Sequence, residues 1–372
     1  MKYFLIAGEA SGDLHASNLM KGLKAEDPAV EFRFLGGDLM EAVAEGQPLQ
    51  HFREMNFMGI SAVIRNMGHL KRILAKTKRA IREFSPDAVI LVDYAGFNLR
   101  MARFASGLGI KTFYYISPKV WAWRKGRIRL LKKYVHKLFV IFPFEVEFFH
   151  NHGMEVEYHG NPLMDVLAEF NSRKPARESW IHSASLDDRP VIALLAGSRK
   201  QEIKSCLPEM IRAASGFPDY QFVVAGAPSV ENPVYDSLLE GSGIKIVYND
   251  TYNLLSHAEA AIVTSGTATL ETALFDIPQV VVYKTGFLTY RIGKLFVTFR
   301  FFSLVNLIFG DELVTELLQV NLESGIREEL KKILNTEKTS LQMREGYAKI
   351  REMLGEAGVS RRVAGKMVEL LR

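Results

Sequence analysis

Cysteine is almost missing: Cys206 stands alone among 372 residues. One thiol cannot close a disulfide within the chain, which excludes a disulfide scaffold and points to a reducing compartment. Long apolar runs are missing too. None reaches the ~18 residues a membrane-spanning helix needs, and the longest candidate, residues 295–309, is broken by Arg300, Ser303 and Asn306. The chain is therefore expected not to cross a membrane. No leader precedes the first strand-like run, residues 2–7, so no signal peptide is expected. There is no Asp-x-Asp pair, and the nine His and single Cys show no ligand spacing. His150 and His152 are close in sequence but have no third partner. Metal-free chemistry is the expectation.

Acidic residues are missing from three windows, 59–82, 119–137 and 284–300, which hold seven, eight and four Lys/Arg. The remaining 28 basic residues face all 42 acids, so positive charge is concentrated on an otherwise acidic chain. An anionic membrane, a phosphorylated ligand or nucleic acid would each suit that placement.

What is present is ample for two cores: a 48% hydrophobic, 24% charged chain of globular composition. Short apolar runs at 4–7, 32–35, 88–92, 111–115 and 137–141 alternate with helical stretches such as 14–24, 70–84 and 99–107. After a polar, Pro-bounded stretch a second set of strands follows at 191–196, 221–225, 244–247, 261–264 and 279–283. Such alternation predicts parallel sheets covered by helices. From 312 onward the chain reads as helix. The domains expected are 1–168, a linker at 169–189, 190–354, and a terminal helix at 355–372 that is free to return to the first domain.

In doubly wound folds ligands sit beyond the carboxyl ends of strands, so the loops there are the candidates. Residues 260–278, AAIVTSGTATLETALFDIP, read as strand, turn and helix. Ser265, Gly266 and Thr267 would present unpaired N–H groups at a helix N-terminus to a phosphate, and Glu271 could accept from a ribose diol; an ordinary capped corner is the alternative. Gly8-Glu9-Ala10-Ser11-Gly12-Asp13 follows the first strand and is not G-x-G-x-x-G, which argues against a dinucleotide. Close backbone approach to a ligand and a tight capped turn both remain open there. Asp93 ends the strand 88–92, where burial would raise its pKa toward that of a general base; a helix cap is equally open. Ser117-Pro-Lys-Val-Trp121-Ala-Trp123-Arg124 holds two of the three tryptophans in a basic loop, an apolar and cationic surface. In Gly197-Ser198-Arg199 the guanidinium could fork onto phosphate oxygens or lie in solvent.

Taken together, these motifs resemble one family. Gly8-Glu-Ala-Ser-Gly-Asp13, Met58-Gly59-Ile60, Ser117-Pro-x-Val-Trp-Ala-Trp-Arg124, Gly197-Ser-Arg199, Ser265-Gly-Thr-Ala-Thr-Leu-Glu271, Asn306-Leu-Ile-x-Gly-x-Glu-Leu-Val314 and Glu316-Leu-Leu-Gln319 are similar to segments of the lipid-A-disaccharide synthases, in the same order. The resemblance implies an α/β protein of the GT-B type, two facing doubly wound Rossmann-like domains with a helical C-terminal tail. It also implies an inverting, metal-independent glycosyltransferase without a cofactor, joining UDP-2,3-diacylglucosamine to 2,3-diacylglucosamine 1-phosphate with release of UDP.

By that resemblance Asp93 is the base and Arg199 stabilises the leaving diphosphate. Ser265, Gly266, Thr267 and Glu271 hold UDP together with Gly197 and Ser198, Asn306 lies near the donor, and Glu9 and Ser11 face the cleft. The family often carries a second acid after the base, where this chain has Gly96, so Asp93 is expected to act alone. With lipid substrates, Ile60, Val63, Ile64 and Met67 at helical spacing among basic residues suggest membrane contact, as do Trp121 and Trp123; a core helix with a solvated basic face is the alternative. The aromatic stretch 284–302 would suit an acyl pocket or a subunit interface. A place on the cytoplasmic face of the bacterial inner membrane follows from the resemblance, with a homodimer one option and nucleic acid disfavoured. The rivals are a UDP-N-acetylglucosamine 2-epimerase-like enzyme and a non-catalytic membrane-associated UDP-sugar-binding protein.

Overall fold

The computed structural model describes residues 1–55, 67–120, 126–284 and 300–372. By its internal contacts the chain divides into two units, Met1–Ala168 with Leu354–Arg372, and Glu169–Met353.

Each unit is built on a parallel sheet. In the first, β1 (Lys2–Ala7), β2 (Glu31–Gly36), β3 (Gln50–His51), β4 (Ala88–Val92), β5 (Lys111–Tyr115), β6 (Lys137–Val140) and β7 (Glu157–Tyr158) lie in the order β3-β2-β1-β4-β5-β6-β7. In the second, β8 (Val191–Leu195), β9 (Gln221–Gly226), β10 (Lys245–Tyr248), β11 (Ala258–Thr264), β12 (Gln279–Tyr283) and β13 (Glu316–Leu318) run β10-β9-β8-β11-β12-β13. Central strands buried on both faces are continuous apolar runs, as in Ala-Val-Ile-Leu-Val of β4. Side-chain alternation sorts them. Phe4, Ile6, Val89 and Leu91 enter one core, whereas Tyr3, Leu5, Ala88, Ile90 and Val92 enter the core on the other face.

The C-terminal helix Val359–Glu369 closes that second face. Its Val359, Val363, Ala364, Met367 and Val368 pack into the same core as Leu19 and Leu23 of the helix Ala10–Glu26. Asp165 anchors its start, accepting from the N–H groups of Gly358 (2.6 Å), Val359 (2.9 Å) and Ser360 (2.7 Å). A carboxylate there satisfies three otherwise unpaired donors and complements the helix dipole.

Two expectations need correction. The stretch 169–189 is not merely a connector, because it contains the helix Arg177–Ser183, whose Trp180 and Ile181 are buried in the core of the second unit. The Trp180 indole donates to Asp250 (2.6 Å) and stacks on His257. The chain from 312 is also not helical throughout: β13 pairs with β12 before the helices Leu322–Asn335 and Glu337–Leu354 begin. Hydrogen bonds to a distant strand outweigh the local preference of a short Glu-Leu-Leu run.

Candidate active site

Both sheets reverse direction once. From β1 the chain winds outward through β2 and β3, then crosses back to β4; from β8 it winds through β9 and β10, then crosses back to β11. The crevice at such a reversal is where open α/β sheets bind ligands. The loops after β1 and β4 hold Glu9 and Asp93. The loops after β8 and β11 hold Gly197-Ser198-Arg199 and Ser265-Gly266-Thr267. Each unit thus brings its own expected residues together at its own switch point.

In the first unit the backbone is held in a costly shape. Asp93 and Tyr94 both have left-handed backbone angles (φ 43° and 42°), each costing of order 1–3 kcal/mol unless the surroundings impose it. The surroundings do so. The buried Asn98 amide donates to the carbonyls of Val92 (3.1 Å) and Asp93 (2.9 Å), the Tyr114 hydroxyl donates to the Asp93 carbonyl, and the Asp93 N–H donates to Tyr115 (3.2 Å). The Tyr94 hydroxyl reaches the Met55 carbonyl (2.7 Å) and its ring lies over Gly8, where a Cβ would come within 2.3 Å of it. Glycine at position 8 is what lets the β1 and β4 loops close on each other.

The Asp93 carboxyl is half-buried, and burial pushes its pKa up to about 6; the negative Glu9 adds to the rise, while Lys119 and the Tyr94 N–H oppose it. A second acid therefore does face Asp93, from the β1 loop rather than from position 96. Ser11 is exposed on the first turn of Ala10–Glu26. Asp13, by contrast, is spent on structure: its carboxylate accepts from Gly37 (2.7 Å), Leu39 (3.1 Å) and Met40 (3.2 Å). Ser117 is buried against Glu145, a buried carboxylate that also takes the N–H groups of Ile141 and Phe142 (3.1 Å each).

The second unit offers cations and N–H groups. Gly197 (φ 111°) turns the chain after β8, and a Cβ there would meet Glu202 at 2.8 Å. Glu202 in turn holds the loop, accepting from the Ser198 N–H (3.2 Å) and from Arg199 (3.3 Å). Arg199 is exposed at the start of the helix Lys200–Ala214, and neither that helix nor Thr267–Leu274 has a side-chain cap. Helix N-termini without a side-chain cap, following neighbouring strands, and an exposed guanidinium are the kind of donors an anion can use. Glu271 is half-buried one turn further along; burial raises its pKa, and the Tyr252 hydroxyl donates to it at 2.9 Å.

Two expected ligands are differently employed. The Ser265 hydroxyl donates to the Phe302 carbonyl (2.7 Å), so its proton is not offered to a phosphate. Asn306 is fully buried: its amide donates to Val314 and Glu316 (2.9 Å each) and accepts from Leu313 (2.9 Å) and Val314 (3.0 Å). Glu316 also takes the Phe302 and Ser303 N–H groups (2.8 Å each). Asn306 shapes the segment that carries Phe302, and through it Ser265, rather than touching a ligand.

Ile60, Val63, Ile64, Trp121 and Trp123 lie outside the described residues, as does 285–299 of the aromatic stretch; Met67 starts the helix Met67–Phe84, its side chain outside them too. In that helix Ile73 and Ile81 are buried in the core, with Leu70 and Leu74 packed against it. Its apolar face is thus used internally, and what it shows outward is mainly basic: Lys71, Arg72, Arg79 and Arg82 are exposed, against one exposed acid, Glu83, which pairs with Arg79 (3.7 Å), with Arg100 and Arg103 on the adjacent helix Ala95–Gly107. Among the described residues no helix is long and apolar enough to cross a membrane, and no three His, Cys, Asp or Glu side chains gather into a metal-ligand group.

The sequence analysis gave no role to Tyr252, Glu145, Glu202 or Glu316. Tyr252 and Glu316 act on partners brought near by folding, as Glu145 does toward Ser117, whereas Glu145 and Glu202 also hold N–H groups three or four residues back, a local signal at a helix start.

The profile of a protein family described as Lipid-A-disaccharide synthetase matches residues 3–365. Relatives named lipid-A-disaccharide synthase include one from Myxococcus xanthus, 37% identical over 100% of this chain and 97% of the relative, and one from Geobacter metallireducens, 36% identical with the same coverage. Among solved structures, the UDP-GlcNAc 2-epimerase of Neisseria meningitidis bound to UDP-GlcNAc is similar with a TM-score of 0.70 and 13% identity, covering 99% of this chain and 100% of that one. The Methanocaldococcus jannaschii UDP-GlcNAc 2-epimerase, in complex with UDP-GlcNAc and UDP, gives 0.68 at 14% with the same coverage. At such identity the epimerases show the fold alone: two Rossmann-like α/β units of the GT-B type with a helical tail.

Proposed function

The chain belongs to the lipid-A-disaccharide synthetase family and is a glycosyltransferase of that kind; we propose that it transfers the sugar of UDP-2,3-diacylglucosamine to the 6-hydroxyl of 2,3-diacylglucosamine 1-phosphate. The products are the β-1,6-linked disaccharide 1-phosphate and UDP. Asp93 takes the proton of the 6-hydroxyl as its oxygen attacks the anomeric carbon. The bond from that carbon to the diphosphate breaks, and the electron pair leaves with UDP. One displacement inverts the anomeric centre. Arg199 and the N–H groups starting Lys200–Ala214 and Thr267–Leu274 take up the developing negative charge, without a metal ion. Glu271 accepts from the ribose hydroxyls.

The observation that supports this chemistry best is Asp93, a carboxylate fixed by its backbone at a switch point and tuned to about 6. A base near neutrality is ionised at working pH yet still basic enough to help. Glu9 supports it by raising that affinity for protons.

For the membrane we propose electrostatic docking through the basic face of Met67–Phe84 and Ala95–Gly107, and, from the lipid substrates proposed above, the cytoplasmic face of the inner membrane as the surface it docks on. Each Lys or Arg near an anionic surface contributes about 1 kcal/mol. Flotation should thus be strong with phosphatidylglycerol vesicles, weak with phosphatidylcholine and lost at high salt; equal binding to both lipids would discard this.

The test of function is incubation of both substrates with the purified chain in detergent and EDTA, following disaccharide and UDP together. Equal amounts of both products, with the linkage β by NMR, are expected. UDP without disaccharide, or epimerisation of UDP-N-acetylglucosamine in its place, would overturn the reading.

A further inference from the structure

Glu271 does not stand alone. Tyr252 lies on the short helix Thr251–Ser256 and donates its hydroxyl hydrogen to Glu271 Oε1 at 2.9 Å, across nineteen residues of sequence. The Tyr252 ring is itself held in place. Phe170 meets it edge-on with ring centres 5.6 Å apart, Phe275 lies 5.2 Å away, and Phe170 and Phe275 touch each other at 5.4 Å. Phe170 comes from the helix Leu163–Asn171 and Phe275 from the end of Thr267–Leu274, so three separate elements fix one hydroxyl.

We propose that Tyr252 is a positioning residue: its hydroxyl, locked by Phe170 and Phe275, sets the Glu271 carboxylate to receive the vicinal diol of a nucleoside diphosphate ribose. The proposal rests on reading Glu271 as the ribose acceptor. Glu271 has three rotatable side-chain bonds, and an unheld carboxylate would have to be ordered each time a nucleotide bound. A carboxylate has about four lone-pair directions. Tyr252 occupies one, on Oε1, which leaves both oxygens able to accept one hydroxyl each. Tyr252 holds the acceptor and touches no reacting atom, so its effect belongs in nucleotide affinity and ribose selectivity, with kcat little changed.

The experiment is calorimetric titration of the full chain with UDP and with 2′,3′-dideoxy-UDP, for wild type, Tyr252→Phe, Glu271→Ala and the double variant. Tyr252→Phe keeps the ring and its packing, and Glu271→Gln serves if the alanine variant does not fold; melting curves report which do. Wild type should prefer UDP by about 100-fold, two hydroxyls bonded to a charged group. Glu271→Ala should erase that preference, Tyr252→Phe should reduce it to about tenfold with dideoxy-UDP affinity unchanged, and the double variant should match Glu271→Ala. If Glu271→Ala keeps the preference, the ribose reading of Glu271 falls and the proposal with it. If Glu271→Ala erases it while Tyr252→Phe keeps it whole, the ribose reading stands and the role of Tyr252 is overturned. A Tyr252→Phe that weakens both nucleotides equally makes Tyr252 structural and also overturns it.

Discussion

The two switch points share a topology and differ in nearly everything else. At the β1/β4 crossing the loops are tight, aromatic and acidic: two left-handed residues, a tyrosine laid over a glycine, and the carboxylate of Glu9, which disfavours the charge of Asp93. At the β8/β11 crossing the loops are more open, with two helix starts that lack a side-chain cap and an exposed arginine paired only with Glu202 of its own first turn among the described residues. A base needs confinement, because partial burial is what brings a carboxylate toward neutrality. An anion needs donors it can reach, because pre-set N–H groups and a guanidinium act only if exposed to it. The same fold supplies both by changing which residues follow the strands.

Removing the base should have the largest effect. Asp93→Asn is expected to lower kcat by 10²–10⁴-fold, the usual range for a general base, and to leave calorimetric UDP affinity within about twofold. Loss of UDP binding along with rate would mean that the two crossings do not divide the work. The same variant carries a stability signature. A carboxyl whose pKa is raised from 3.8 to about 6 on folding favours the folded state fully below about 3.8, and that advantage is lost as pH rises through about 6. Asn removes the ionised form's cost, so the variant should melt higher than wild type at pH 8; a lower melting point there would contradict the burial argument.

Next comes Arg199→Ala, expected to cost about 10²–10³-fold in kcat by analogy with losing one donor to a developing anion. Arg199→Lys should recover only part, because a point charge cannot fork across two oxygens. Full rescue by Lys would reduce Arg199 to a bulk charge.

The two glycines sharpen the contrast further. Gly8→Ala drives a methyl into the Tyr94 ring and should lower kcat, whereas Gly197→Ala adds a methyl at φ 111° against Glu202 and should weaken UDP binding. Strain of about 1–3 kcal/mol is expected in each, read as a lower melting point, and kinetics should separate them. Identical kinetic phenotypes would erase the distinction between the two crossings.

Smallest of all should be Gly96→Asp. A Cβ at Gly96 meets nothing within 4 Å and sits in the first turn of Ala95–Gly107, which has no acid there. Stability should rise by about 0.3–1 kcal/mol from the helix dipole. The like charge should move the acid limb of the rate profile to higher pH. An acid limb moved to lower pH would show that the new carboxylate does not oppose ionisation of Asp93.

Much of this was legible in the sequence because the signals are local. Continuous apolar runs mark buried parallel strands, and a Gly, Asp or Ser-Gly-Thr directly after one marks a loop at a strand's carboxyl end. The resemblance places the family's second acid in the segment after Asp93, where this chain has Gly96; that Glu9, on the loop after a neighbouring strand, acts on Asp93 is visible only in the fold. Ser265 and Asn306 were read as ligand groups because small polar residues in a motif look alike whether they face a ligand or a backbone carbonyl. Only the positions of Phe302, Val314 and Glu316 tell the two apart. The basic helix is the same problem in reverse. Its periodicity is real, yet periodicity cannot say that Ile73 and Ile81 face the protein's own core. The β13 strand and the Trp180 helix depend on partners tens of residues away, β12 for the one and Asp250 and His257 for the other.

The most direct test of the central claim is the pH dependence of disaccharide formation, measured in EDTA from about pH 4.5 to 8.5 for wild type and Asp93→Asn. If Asp93 is the base, wild-type kcat/KM falls below about pH 6, where the carboxyl of the free enzyme becomes protonated. Asp93→Asn is then slower by at least about 100-fold and has no acid limb near that pH. An Asp93→Asn enzyme within about tenfold of wild type, with the same acid limb, would show that another group takes the proton.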